Sequence, residues 1–201
     1  MHKKADTHYP IHDHLAQRWS PRAFADRPVT AQDLGSLFEA ARWAASCYNE
    51  QPWRFIVARR EQPDEYQQLL GCLVEGNRSW AMQAPVLGLG IAKKTFSMNG
   101  KANNFAHHDL GLATAGLMVQ ATALGLYVHP MGGILPQQAL EQYRIPDDFD
   151  VLTGFAVGYR GDPDLLDESM RTSELEPRTR KPLTETVFSS GWEQAATFLQ
   201  A

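Results

Sequence analysis

From Thr30 onward, apolar positions recur in two rhythms, one helical and one strand-like. Leu34, Leu37, Phe38, Ala41 and Ala45 fall on one helical face, introduced by Thr30 and Asp33 as a cap. Trp53 to Ala58 alternates as a half-buried strand, and Pro63 opens a helix through Leu69, Leu70 and Leu73. Val86 to Ala92 is a nearly continuous apolar run bounded by Pro85 and Lys93, which predicts a strand buried on both faces. Asn104 to Leu126 is the longest periodic stretch. It is followed by a short strand at Tyr127–Met131, a helix over Leu135–Tyr143 and a fourth strand over Val151–Tyr159. A short helix over Ile11–Trp19, with Ile11, Leu15 and Trp19 in register, precedes these elements, and a weak helix over Trp192–Leu199 follows them. Residues 1–10 are polar and read as flexible.

Leu110 to Val128 reaches the length of a membrane span, which begins at ~18 apolar residues. Thr114, Gln120 and Thr122 interrupt it, however, and much of the rest is Gly111, Ala113, Ala115, Gly116, Ala121 and Ala123. Small residues around a helix let neighbours approach closely, so the segment reads as a buried central helix suited to sharing with a second subunit. A length of 201 residues fits a single domain spanning 1–201. A net charge of −4, with acids and bases mixed along the chain, leaves no basic footprint for nucleic acid. Cys47 and Cys72 are too few for a disulfide framework or a zinc site. With no apolar signal core near the first residues, the expected location is cytoplasmic.

Candidate chemistry collects in four places. In Ser46-Cys47-Tyr48-Asn49-Glu50-Gln51-Pro52-Trp53-Arg54-Phe55 a helical pattern breaks into a polar turn. Asn49 and Gln51 there offer amides that both donate and accept, as a heterocycle edge requires. Pro52 restricts Gln51 before it to extended backbone and holds both amides in one geometry. Arg18-Trp19-Ser20-Pro21-Arg22 sets two guanidinium groups and a hydroxyl close together, and Arg178 and Arg180 form a late basic pair. Pro130-Met131-Gly132-Gly133 lets backbone lie against a flat ligand, or simply turns the chain. Each of these also reads as ordinary turn or surface. Cys47 reads as a buried small hydrophobe, because no histidine or aspartate partner stands beside it. Asp109 reads as a helix N-terminal cap. The Thr95–Asn103 segment reads as a surface loop or a pocket lid.

Taken in order, these pieces resemble the nitroreductase family of FMN-dependent oxidoreductases. The resemblance runs from about Arg18 to Phe188. It is carried by Arg18-x-Ser20-x-Arg22-x-Phe24, Ser46-x-x-Asn49-x-Gln51-Pro52-Trp53-x-Phe55, Gln83-Ala84-Pro85-Val86, Asp109-x-Gly111-x-Ala113, Leu124-Gly125-Leu126, Gly132-Gly133, Gly154 to Tyr159, and Arg178-x-Arg180-x-Pro182-Leu183.

The resemblance implies an α+β fold with a mixed, mostly antiparallel sheet among helices, in an intertwined homodimer with FMN at the subunit interface. It implies that Arg18, Ser20, Arg178 and Arg180 gather around the FMN phosphate, that Trp19 belongs to the same FMN-binding set, and that Arg22 reaches the flavin pyrimidine. Ser46, Asn49 and Gln51 would contact the flavin, partly across the dimer, while Pro130, Met131, Gly132 and Gly133 would present backbone to flavin N5. Where many relatives carry an acidic residue before that glycine, this chain has Met131. The implied chemistry is ping-pong: NADH or NADPH passes hydride to N5, and a nitroaromatic, quinone or related acceptor then takes its place. No catalytic side chain and no metal are implied, since the cofactor carries the reaction. Dehalogenation, flavin breakdown and non-enzymatic flavin binding are the alternative roles. With no Rossmann fingerprint, the sequence does not choose between NADH and NADPH.

Overall fold

The structure, a computed structural model, describes residues 3–200. Four strands, β1 (Trp53–Arg59), β2 (Val86–Lys93), β3 (Tyr127–Met131) and β4 (Phe149–Gly158), form one sheet in the order β1-β2-β4-β3. All three ladders are antiparallel, so among the described strands the sheet has no parallel component. Among the described residues seven α-helices surround it: α1 (Asp13–Gln17), α2 (Ala31–Arg42), α3 (Pro63–Gly71), α4 (Glu75–Ala81), α5 (Ala106–Ala123), α6 (Pro136–Tyr143) and α7 (Glu168–Leu175). The architecture is α+β, and among the described residues no helix is long and apolar enough to cross a membrane.

Strand alternation divides the core into two layers. Leu87, Leu89 and Ala156 pack with Tyr66, Leu69, Leu70, Trp80 and Ala139 from α3, α4 and α6. Phe155 and Val157, the chain neighbours of Ala156, pack instead with Leu34, Leu37 and Ala41 of α2 and with Leu110, Ala113, Leu117 and Ala121 of α5. Helices on both sides bury β2 along all but its last residue, as its continuous apolar run required. Thr30 caps α2 by accepting from the Asp33 amide at 3.0 Å. A Cβ at Gly116 would lie 3.0 Å from the Ala40 carbonyl oxygen, so the small residue sets how closely α5 approaches α2.

Several elements depart from the sequence pattern. The expected helix over Ile11–Trp19 shortens to α1. Ile11 and Leu15 lie exposed, while Trp19 is buried beyond the helix end. The Lys3–Ala5 stretch, expected to be flexible, is tied down: the Ala5 amide donates to Ala16 O at 2.8 Å. Residues 1 and 2 lie outside the described residues. Helix α5 is not buried all round, because Gly111, Leu112 and Ala115 face outward. No α-helix forms over Trp192–Leu199; the chain bends there, pairs Phe188 with Ala195, and closes with a 3₁₀ turn from Thr197. Helices α4 and α7 were not evident in the pattern. In α7 the buried residue is Glu174, a polar side chain that gives no apolar signal.

Candidate functional site

The strip from Arg18 to Phe24 leaves α1 and runs beside the end of β4. The Ala25 amide donates to Tyr159 O at 2.9 Å, and the Gly161 amide donates to Ala23 O at 2.8 Å. Two side chains fix the strip from the core side. His129 on β3 bonds Pro21 O through Nδ1 at 2.9 Å. Glu174 on α7, only 3% exposed, accepts from the Arg22 amide at 3.0 and 3.2 Å and from the Ala23 amide at 3.3 Å. Burial holds the His129 imidazole down to about 4, with the Arg22 and Arg18 charges acting in the same direction. The neutral ring is therefore the form that holds the strip.

This arrangement brings the predicted basic residues together. Arg18, Trp19, Ser20, Arg22, Arg178 and Arg180 line one cavity of ≈ 280 Å³, joined by Lys3, Ser173, Glu174, Glu176 and Pro177. Arg18 donates to Ser20 Oγ at 3.2 Å. Burial lowers the Arg18 pKa, and the neighbouring Arg178 and Arg180 lower it further; burial and then Arg180 do the same to Arg178. Among the described residues none of Arg18, Arg22, Arg178 and Arg180 forms a salt bridge with a carboxylate. The four arginines outnumber the two carboxylates, Glu174 and Glu176, that share the cavity, so the site suits a multiply charged anion, and guanidinium forks match phosphate oxygens. The donor set thus fits the phosphate end of a nucleotide-like cofactor.

The Ser46–Gln51 loop is built under backbone strain. Tyr48, Asn49 and Gln51 all have positive φ, at 52°, 55° and 53°, a conformation that non-glycine residues seldom adopt and that collects at functional loops. Gln51 is therefore left-handed and not extended as Pro52 led us to expect. Ser46 Oγ accepts from the Gln51 amide at 3.0 Å and closes the loop, and Gln51 Nε2 donates to Asn49 O at 3.0 Å. Asp109 anchors the loop from α5. It is 1% exposed and accepts from the Cys47 amide at 2.9 Å, so it caps this turn and not its own helix. A carboxylate on the apolar face of α5, in register with Ala106 and Ala113, is a signal in the sequence for such an anchor. Cys47 itself is half-buried and not fully buried. The Phe96–Asn103 segment docks on the loop through Glu50, which accepts from the Ser97 amide at 2.9 Å and the Ser97 hydroxyl at 2.6 Å.

The lining of the basic cavity does not include the loop. Ser46, Asn49 and Gln51 precede β1, whereas the basic strip flanks the far ends of β4 and β3, on the other side of the sheet. By strand spacing and rise the two corners are roughly 20 to 25 Å apart. Pro130 and Met131 end β3. Gly132 is exposed and has open space where a Cβ would point, as a flat ligand against backbone would need. Gly133 serves packing instead: a Cβ there would lie 2.5 Å from Asn77 Nδ2, and its carbonyl accepts from Asn77 Nδ2 at 2.9 Å. Glu174, His129, Asp109 and Lys3 were not among the residues the sequence singled out for the site.

Residues 15–159 match the model of the nitroreductase family. An Archaeoglobus fulgidus protein named as an NADH dehydrogenase/NAD(P)H nitroreductase is 45% identical over 154 residues, covering 72% of this chain and 82% of its own. A Bacillus subtilis FMN reductase [NAD(P)H] is 27% identical over 166 residues, covering 74% of this chain and 65% of its own. A solved structure described as an oxidoreductase containing FMN superposes with a TM-score of 0.88 at 36% identity, covering 92% of this chain and 94% of that one. The chain belongs to the nitroreductase family.

Proposed function

We infer that the basic cavity holds the phosphate of FMN and that the protein takes hydride from NADH or NADPH and passes it to a nitroaromatic, quinone or related flat acceptor. As a nitroreductase-family member the chain is an FMN-dependent oxidoreductase. The observation that carries the phosphate assignment is the group of guanidinium side chains, Arg18, Arg178 and Arg180, assembled with Ser20 around one cavity without a paired carboxylate. When bound, FMN supplies the hydride chemistry. The chain's own part is placement. Arg18, Ser20 and Arg180 offer donors to the phosphate, and Arg22 extends from a strip held by Glu174 and His129. Gly132 leaves backbone open at the end of β3.

A second copy of the chain completes this site. The strained Asn49 loop lies outside the basic cavity of its own protomer, so it reaches flavin most directly at a partner's cavity. Two surfaces fit the partner: the outward face of α5 with Gly111, Leu112 and Ala115, and the arm beyond α7, where Trp192 is 83% and Phe198 67% exposed. We place this single-domain homodimer in the cytoplasm, where its free cysteines Cys47 and Cys72 stay reduced.

The purified protein should show a flavin absorption band that bleaches anaerobically with NADH or NADPH and recovers with a quinone. A band that neither nicotinamide bleaches would sink the oxidoreductase reading in favour of flavin storage. Arg180→Ala should weaken FMN roughly ten- to a hundredfold while changing riboflavin little, because only FMN carries the charged group. Equal losses for both flavins would remove the phosphate from this cavity.

A further inference from the structure

We propose that Lys3 is a direct ligand of the cofactor phosphate, carried to the cavity by an N-terminal clamp whose anchor is Arg178. The proposal rests on the reading of the basic cavity as a phosphate site.

Five contacts hold the clamp. Arg178 Nη1 donates to Lys3 O at 2.9 Å and to Ala16 O at 2.9 Å, so one guanidinium nitrogen joins the N-terminal segment to α1. The Ala5 amide donates to the same Ala16 carbonyl at 2.8 Å. Lys3 Nζ lies 4.8 Å from the centre of the Trp19 ring and donates to Ser173 O at 3.3 Å. Trp19 and Ser173 both line the basic cavity, as Lys3 does. An ammonium has three donors, and one long bond to a carbonyl leaves two for a ligand.

Lys3 shares the cavity with four arginines, Arg18, Arg22, Arg178 and Arg180, and with two carboxylates, Glu174 and Glu176. Burial lowers the pKa of Lys3, Glu174 and Glu176 raise it, and Arg178 and Arg160 lower it again. The Glu174 carboxylate already accepts the amides of Arg22 and Ala23 and forms no salt bridge with Lys3. A phosphate there would relieve the repulsion of Arg18 by Arg178 and Arg180 and take up the free donors of Lys3. The same geometry changes the part played by Arg178. One of its nitrogens is committed to two main-chain carbonyls, which makes it a positioning residue for Lys3 as well as a neighbour of the phosphate.

The test compares FMN and riboflavin binding to apo-protein by quenching of flavin fluorescence, in wild type, Lys3→Met, Lys3→Arg and Arg180→Ala. Lys3→Met keeps an apolar stem over Trp19 and removes the charge. It should weaken FMN about five- to twentyfold, leave riboflavin within about twofold, and flatten the salt dependence of FMN binding. Lys3→Arg should restore most of the FMN affinity. If Arg180→Ala weakens FMN selectively and Lys3→Met does not, the Lys3 assignment falls and the phosphate site stands. If neither variant separates FMN from riboflavin, the underlying phosphate reading falls with it. Equal losses of FMN and riboflavin in Lys3→Met alone would make the clamp structural and overturn the proposal.

Discussion

Acid should weaken this protein through His129 before it titrates the carboxylates. The imidazole sits behind the basic strip, donates Nδ1–H to Pro21 O at 2.9 Å, and packs 4.5 Å from the Trp80 ring centre. Burial holds its pKa down to about 4 from an ordinary 6.5. Between those values the unfolded chain binds a proton that the folded chain refuses, so stability falls as pH falls through the window. The contribution is whole above pH 6.5 and fully lost below about 4; the difference corresponds to roughly 3 kcal/mol. His129→Leu fills much of the same space and does not titrate. It should cost ~1 kcal/mol at neutral pH for the lost hydrogen bond, yet lose less than the wild type on acidification. Urea unfolding at pH steps from 7.5 to 4.5 measures both proteins, and the informative quantity is the difference between their slopes. Parallel pH profiles would show that His129 does not titrate in this range and would refute the reasoning.

Glu174→Ala should lower apo-protein stability by ~1 to 3 kcal/mol, because the amides of Arg22 and Ala23 lose their acceptor; Glu174→Gln, which keeps an amide oxygen, should lose less. Thermal melting compares them, and equal losses would show that the acceptor geometry is not what matters. Asn49→Gly removes the amide while suiting the left-handed backbone at φ 55°, so flavin affinity should fall about two- to tenfold with apo stability unchanged; a large fall in melting temperature at constant affinity would make the residue structural. Gly116→Leu should destabilise by ~1 to 3 kcal/mol through its contact with the Ala40 carbonyl, and an unchanged melting temperature would contradict the close approach of α5 and α2. Light scattering should show a dimer at micromolar concentration; a monomer that still carries FMN would defeat the shared-site reading.

The apolar rhythm was enough to place α2, α3, α5, α6 and all four strands, because those elements bury one face or both and their burial repeats at the period of the backbone. The same rhythm missed α7, whose buried residue is Glu174, and misread Ile11 and Leu15, which lie exposed. Motif spacing named the basic residues at both ends of the chain. Only the folded chain shows Arg18 and Arg180 around one cavity, since the Arg18 strip is held at the end of β4 and by α7, and the neighbouring Arg178 is tied to the Lys3 carbonyl, none of which leaves a local pattern. Local chemistry likewise could not reveal that Gln51 is left-handed before Pro52, that Asp109 caps a turn 62 residues upstream, or that Gly133 is small for the sake of Asn77. These depend on pairings between segments far apart in the chain, and a single strand of sequence carries no record of which distant backbone amide or side chain will arrive beside it.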